Sequence, residues 1–488
     1  MHGETSAILR CGRWAAIALF VSTLVLALCA GRPPAAAAGA PGAWTAISGD
    51  TGSLLATPAV ARDSGGTLQV AWITFGTPQS LMCRPIAAGG TPGPARTLAS
   101  GWGSLSNPAI VSGPGGQLRV FAGGLGGGTH DGLSWWSSSD DGGSFTLQPG
   151  VLSGPGGTAY QGDMQAVITP SSVLQTWCST YGVYVHRGLA WGGDSQVNDV
   201  GDCGYHSSFA YDATSDRLLV LAAYNATDKE GLWARLVDQT TGAAAAPSVF
   251  LAKSATSYGG SGQFDMKQMP VPATGLVGRA GIVVAYPAGY PSATTMRVWR
   301  IMPGGTTTTV LATGGSSKGA TAVAADSAGR AWVVWTTSSG SPRHVYARRS
   351  DVGATAWGKT VTVKGPAGSD DLWELAASAQ SGRLDIVGLF TRGSSEILYH
   401  TQLRPGLDVA VSPAKASVGH GFTAKVMVKD AVLALAGAKV TIAGRSASTN
   451  ASGVAKVKVA ARKSAGTLAV TVTKSGYAQG SASIRVVR

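Results

Sequence analysis

Amphipathic helical stretches are almost missing from this 488-residue chain, which excludes a helical bundle or helical solenoid. Cysteine is scarce, five residues in all, and neither Cys nor His recurs at a metal-ligating spacing. No metal site and no cofactor is therefore expected. The Gly-rich run from Gly123 to Gly128 is followed by no Gly-Lys-Ser/Thr, which excludes a phosphate-binding loop. No nucleic-acid-binding module is recognisable either. The one long apolar run, Trp14 to Ala30, is short for a spanning helix, which needs roughly 20 residues.

That run has another use. Arg10 and Arg13 precede it and the small residues Ala35 to Ala40 follow it, the order of a secretory signal peptide cleaved near Ala38. An uncleaved anchor is the alternative, and Leu28 stands where a lipoprotein cleavage motif around Cys29 would need Gly or Ala. Residues 1–38 are expected to be the signal peptide, and the remainder to be secreted with no membrane span. Nucleic acid as a partner is disfavoured by that export. Three cysteines then remain, Cys83, Cys178 and Cys203, and an odd number cannot all pair within one molecule. Cys178 and Cys203 fall at neighbouring strand ends and are expected to form a disulfide in an oxidising compartment. Cys83 sits on an expected strand and reads as a buried thiol.

What the chain has in abundance is repetition. A short apolar strand, a Gly/Asp/Ser turn and a second apolar strand recur between Thr57 and Phe390. The clearest copies begin at Pro58, Pro108 and Ala322, and looser ones near Gln165, Ser208, Lys267 and Leu375. Starts lie roughly 45 to 57 residues apart, the period of a four-stranded propeller blade. The fold class is therefore all-β, with a seven-bladed β-propeller over residues 42–404; six blades with one irregular insertion is the alternative. The last repeat reaches Pro405 without a fourth strand, and the missing one is supplied by Ala43 to Ser48. The N-terminus should thus close the ring and remove its exposed edge.

From 405 to 488 the texture changes to Lys/Ala/Val alternation, expected to form a small β-sandwich. Twelve lysines and arginines stand there against only Asp408 and Asp430, so the net charge of +13 belongs mainly to this segment. Such a surface could favour anionic polymers or surfaces, or could be a solvated lysine face that discourages edge pairing. Ala436-Gly-Ala-Lys-Val-Thr-Ile442 followed by Ser448 to Val457 resembles bacterial immunoglobulin-like and carboxypeptidase-regulatory-like modules. That resemblance implies a spacer or adhesive role.

A second resemblance lies in the ring. Ser138, Asp140, Gly142, Ser144 and Phe145 match the Asp-box of sialidase-like propellers, and Asp351, Gly353, Thr355 and Trp357 form a degenerate copy. The turn is structural: Asp accepts backbone N–H bonds, Gly supplies a positive φ, and the aromatic packs inward. In that family it lies opposite the active site, so it implies kinship rather than catalysis. Active members have six blades, an Arg triad, a Tyr–Glu nucleophile and an Asp acid/base. Here Arg62, Arg119, Arg217, Arg330 and Arg383 recur at scaffold positions and supply no such triad.

Candidate binding residues come from the loops that share one face of a propeller. These are Tyr160, Asp163 and Gln165; Tyr205 and His206; Tyr258, Asp265 and Lys267; and Asp371, Trp373 and Glu374. His130, Arg343, His344 and Arg392 join them from the other connections on that face. Carboxylates, tyrosines and a tryptophan at a concave mouth suit sugar hydroxyls and stacking on a sugar ring. The expected function is a secreted, non-catalytic protein binding a glycan or cell-surface polymer. Two alternatives stand: a sialidase-like glycoside hydrolase using two of Asp163, Asp202, Asp265, Asp371 and Glu374, and an extracellular protein-interaction scaffold.

Overall fold

The computed structural model describes residues 42–488 apart from 53–56, 127–129, 154–160, 180–181, 198–202, 214–215, 225–230, 252–253, 255–266, 272–280, 289–293, 303–304, 317, 338–342 and 381. The side chains of 161–163, 203–206, 217–224 and 267–271 also lie outside that description. Among the described residues the secondary structure is all β except for one 3₁₀ turn, Pro114–Gly116.

Strands pair antiparallel with their sequence neighbours, as short connections dictate. Ala59–Arg62 opens a four-stranded sheet that ends at Arg96–Trp102. Ala109–Ser112 opens the next, which takes on Ser104–Leu105 as an extra strand. Gln161–Ile168 and Cys203–Asp212 each lead a four-strand meander, and one parallel bridge, Asp163 to His206, joins the two into an eight-stranded sheet. Lys267–Val271 and Lys318–Ala325 lead two further four-stranded sheets. Asp371–Gln380 leads the last, whose fourth strand is Thr45–Asp50 from the N-terminal end.

The leading strands neighbour one another in sequence order, and Asp371–Gln380 returns to lie against Ala59–Arg62. This closed cycle of sheets around an axis is a β-propeller. Burial follows from it. Second strands are sandwiched between neighbouring sheets and are apolar on both faces: Gly281–Ala288 is buried throughout, and Arg330–Thr337 at every residue but its two ends. Leading strands crowd the axis, so their side chains are small, as at Ala59, Ala109, Ala322 and Ala376.

Thr45–Asp50 pairs with Ser395–Leu403 in the register Thr45 to His400 and Ala46 to Tyr399. Ile47, 1% exposed, fills the space between that sheet and the strand bearing Leu68, Val70 and Trp72. Ring closure is thus noncovalent and rests on one short strand.

Residues 407–487 form two sheets that share one core of Val426, Val428, Val440, Val457, Val470 and Ile484 among others. Their longer strands alternate; Val454–Val459 runs half-buried, then buried and exposed in turn. This sandwich meets the propeller at Asp430. The buried carboxylate accepts from Arg330 Nη1 at 2.5 Å, from Arg349 Nη2 and from Tyr477 Oη at 3.0 Å.

Candidate functional site

The propeller axis is a narrow throat of about 110 Å³, lined by Ala59, Ala109, Ala166, Ser208, Ala322 and Ala376 with Gln165 as a longer polar group. A throat walled by methyl groups excludes bulky ligands. Binding chemistry must therefore sit at a mouth, where the leading strands begin or end.

The beginning ends are special. Four leading strands lose register with their neighbours there, between Gln161 and Gln165, Cys203 and Ser207, Lys318 and Thr321, and Leu372 and Glu374. A slipped ladder frees backbone groups and re-aims side chains, which is why such irregularities gather beside binding sites. Asp163, Tyr205, His206 and Trp373 lie inside these breaks, and Gln165 and Glu374 bound them. Asp163 and His206 are bridge partners on adjacent leading strands, so their backbones are neighbours at the axis. Lys267 begins its own strand. Tyr160, Tyr258, Asp265 and Asp202 lie outside the described residues.

The described side chains show how one sector of this rim is built. Arg343 grips Asp371 with a two-pronged fork, Nε to Oδ1 at 2.7 Å and Nη2 to Oδ2 at 2.9 Å. The Leu372 N–H donates to the same Oδ1 at 2.8 Å. Both carboxylate oxygens are therefore engaged, which suits a fixed acceptor better than a proton shuttle. Trp373 is half-buried and donates Nε1–H to Thr391 Oγ1 at 2.9 Å, which fixes its ring plane. Glu374 is buried at 3% exposure, set back from the rim. His344 and Arg392 flank this sector, half-buried and exposed respectively.

Sequence reasoning missed two contributors. Lys318, buried at the start of its strand, donates to the Gly314 and Ser316 carbonyls at 3.0 Å, and burial lowers its pKa. Its place at the head of a leading strand, like that of Lys267, was the available signal. Trp102 is buried beside His130, ring centroids 6.5 Å apart, and Gly124 and Gly126 are glycines because a Cβ would meet its indole at 2.9 and 2.7 Å.

Elsewhere the polar clusters are structural. Ser153 Oγ donates to Asp194 Oδ2 at 2.5 Å, and His186 Nδ1 lies 2.7 Å from Asp194 Oδ1. These are triad residue types in the wrong order, since the serine is bonded to the carboxylate rather than to the imidazole, and His186 is fully buried. Asp140 accepts from Ser138 Oγ, Ser144 N and Ser144 Oγ at 2.7, 2.9 and 2.8 Å. The Ser138 hydrogen bond leads the effects that bring its pKa down to about 2. Gly142 there has φ +80°, and Phe145 packs against the Trp136 core. Asp351 repeats the device with Thr355 N at 2.7 Å and Thr355 Oγ1 at 2.5 Å. Cys83 is a buried free thiol whose pKa desolvation pushes up to about 12. Cys178 is disulfide-bonded. Among the described residues no cluster of three His, Cys, Asp or Glu is placed to hold a metal, and no helix is long and apolar enough to cross a membrane.

No family model and no curated protein matches this chain. Solved structures similar to it include a Hadza microbial sialidase, 12% identical, covering 72% of this chain with a TM-score of 0.38. The match spans only 65% of that sialidase. A polysaccharide lyase described as an ulvan lyase is 11% identical, covering 72% of this chain and 95% of the lyase at a TM-score of 0.42. A triple mutant of AofleA from Arthrobotrys oligospora is 9% identical, covering 89% and 99% at 0.39. At these scores the likeness carries no argument about this chain, whose fold rests on its own strand pairing.

Proposed function

We propose that this protein is a secreted, non-catalytic glycan-binding propeller of seven blades, carrying an immunoglobulin-like sandwich over residues 405–488. One observation carries the site: the ladder breaks at the same end of leading strands that bear Asp163, Tyr205, His206 and Trp373, around a single axis. Acidic, aromatic and imidazole residue types at strand ends around one axis would suit the hydroxyls and apolar faces of sugars. The two-pronged hold of Arg343 on Asp371 favours binding over acid/base chemistry in that sector. The Asp140 and Asp351 turns support kinship with Asp-box propellers, and we assign Cys203 as the partner of Cys178. Residues 1–38 are the signal peptide in this reading.

A glycan array with the purified protein tests it. Binding should be lost on combining Asp163→Ala with Asp265→Ala, and binding that survives the pair removes the site assignment. Turnover on fluorogenic glycosides, a sialoside among them, would replace the binding reading with the hydrolase one. Nonreducing peptide mapping should recover Cys178 linked to Cys203.

A further inference from the structure

The outward face of one sandwich sheet carries a second, separate surface. That sheet orders its strands as Val454–Val459, Phe422–Asp430 and Asp408–Ser412. Lys425 stands directly opposite Lys456, and Lys458 lies diagonal to Lys425, opposite Thr423. All three lysines are exposed. Directly opposed Cβ atoms are about 5 Å apart and i, i+2 residues about 7 Å. Three ammonium groups thus share a patch that like-charge repulsion disfavours in the free protein. Arg462, Lys463 and His420 extend it beyond the Phe422–Val459 pair, all exposed.

Nothing acidic in the sandwich offsets this charge. Asp430 is buried and held by Arg330, Arg349 and Tyr477. Asp408 lies opposite Lys429 at the far corner, where Arg348 and Lys359 also act on it. Among the described residues no ion pair engages Lys425, Lys456 or Lys458. The opposite sheet also carries outward cations, Arg485 beside Lys415 at one end and Lys439 apart from them opposite Thr473. These are set among Thr467, Thr471, Ser481 and Ser483, and they do not bring three cations together as Lys425, Lys456 and Lys458 do.

We infer that this lysine face binds an acidic polysaccharide, a linear polymer with anionic groups repeated along its length. Charge complementarity supplies the attraction, and a polymer that relieves the Lys425–Lys456 repulsion gains from every contact. Two other polyanions fit less well. The large exposed apolar residues of the sandwich, Val432 and Leu433, lie at a hairpin tip rather than on this face, so nothing here inserts into a bilayer. No aromatic ring is exposed on the face to stack a nucleobase.

The test is equilibrium binding of the full chain to dextran sulfate and to polygalacturonate, with neutral dextran as control, across a salt series. Wild type should bind the acidic polymers and not dextran. Lys425→Gln, Lys456→Gln and Lys458→Gln combined should weaken binding tenfold or more and flatten the logarithmic salt dependence by about two to three units, roughly 0.7–0.9 for each of the lost contacts. Lys439→Gln on the other sheet should leave affinity unchanged. A melting temperature of the triple variant at or above the wild-type value shows that the loss is not unfolding. Four results overturn the inference: no binding by wild type, an unaffected triple variant, binding to vesicles containing anionic lipid but to neither polymer, or loss on Asp163→Ala with Asp265→Ala, which would return the interaction to the channel mouth.

Discussion

At the scale of single residues, the carboxylates of this chain are mostly joinery. Asp63, Asp326 and Asp351 each accept the backbone N–H four residues on, at 2.8, 3.1 and 2.7 Å, and Asn450 does the same with its amide oxygen at 3.0 Å. Asp385 has the heaviest duty. Its side chain, 1% exposed, takes hydrogen bonds from Arg62 at 2.5 Å, Arg383 at 3.1 Å, and His400 and Gln402 at 2.8 Å. Burial pushes its carboxyl up, but the His400 hydrogen bond and the positive charges of Arg62, His400 and Arg383 outweigh it and bring the pKa to about 2. A carboxylate depressed by folding stabilises above its unfolded pKa near 3.8, and that contribution fades as pH falls through 4 toward 2. The amount is ~2 kcal/mol. Urea unfolding from pH 5 to 2 should show this slope, and Asp385→Asn should flatten it while costing about 3–5 kcal/mol at neutral pH through the arginines left unpaired. A slope unchanged by the substitution would disprove the assignment. Gly142→Ala is the second test at this scale. A left-handed φ of +80° and a Cβ placed 2.7 Å from Gln69 Nε2 should together cost about 1–3 kcal/mol, read as a lower melting temperature.

Among elements, Thr45–Asp50 is the least protected by covalent connection and the most needed. It covers the edge of Ser395–Leu403, and its Ile47 packs across the seam to the next sheet. Ile47→Ala should destabilise by about 2–5 kcal/mol in chemical denaturation. Removing residues 43–50 should expose the edge and produce higher oligomers in size-exclusion chromatography. A monomeric, equally stable truncation would show that the seam holds without this strand. The closing strand was legible because its absence from the last repeat left a gap of known size. Strand positions were legible because turns punctuate an alternation of period two. The register slips at Gln161, Cys203, Lys318 and Leu372 were not, since a slip reflects crowding at the axis rather than any local pattern. The rim was therefore located in sequence by topology alone. The fork between Arg343 and Asp371 joins connections of adjacent sheets, and no spacing announces it.

Across the whole molecule, the sandwich is fastened to the propeller by a residue that sequence reading passes over. Asp430 ends a strand beside a hairpin and looks like a turn former, yet it is 2% exposed. Its carboxylate joins two arginines of one propeller sheet to a tyrosine of the sandwich. Arg349 also lies over Trp332 at 5.6 Å and over Tyr477 at 5.5 Å, so its guanidinium is held between an aromatic of each part. Burial raises the Tyr477 pKa and the Asp430 charge adds to that, which keeps the phenol protonated and donating. Such a junction makes the two parts unfold together and fixes the lysine face relative to the channel mouth, so a glycan that reached both would gain through effective concentration. Replacing Asp430 by Ala strands one buried and one half-buried guanidinium group, a cost of about 3–5 kcal/mol concentrated at the junction. Calorimetry should show one transition for the wild type and two for the variant, and limited proteolysis should cut the variant near Pro405. Asp430→Asn, which keeps the shape but halves the acceptors, should give an intermediate separation. If Asp430→Ala still melts in one transition and resists cleavage there, the parts are coupled by the surrounding packing of Gly358 on Ala431 rather than by this carboxylate.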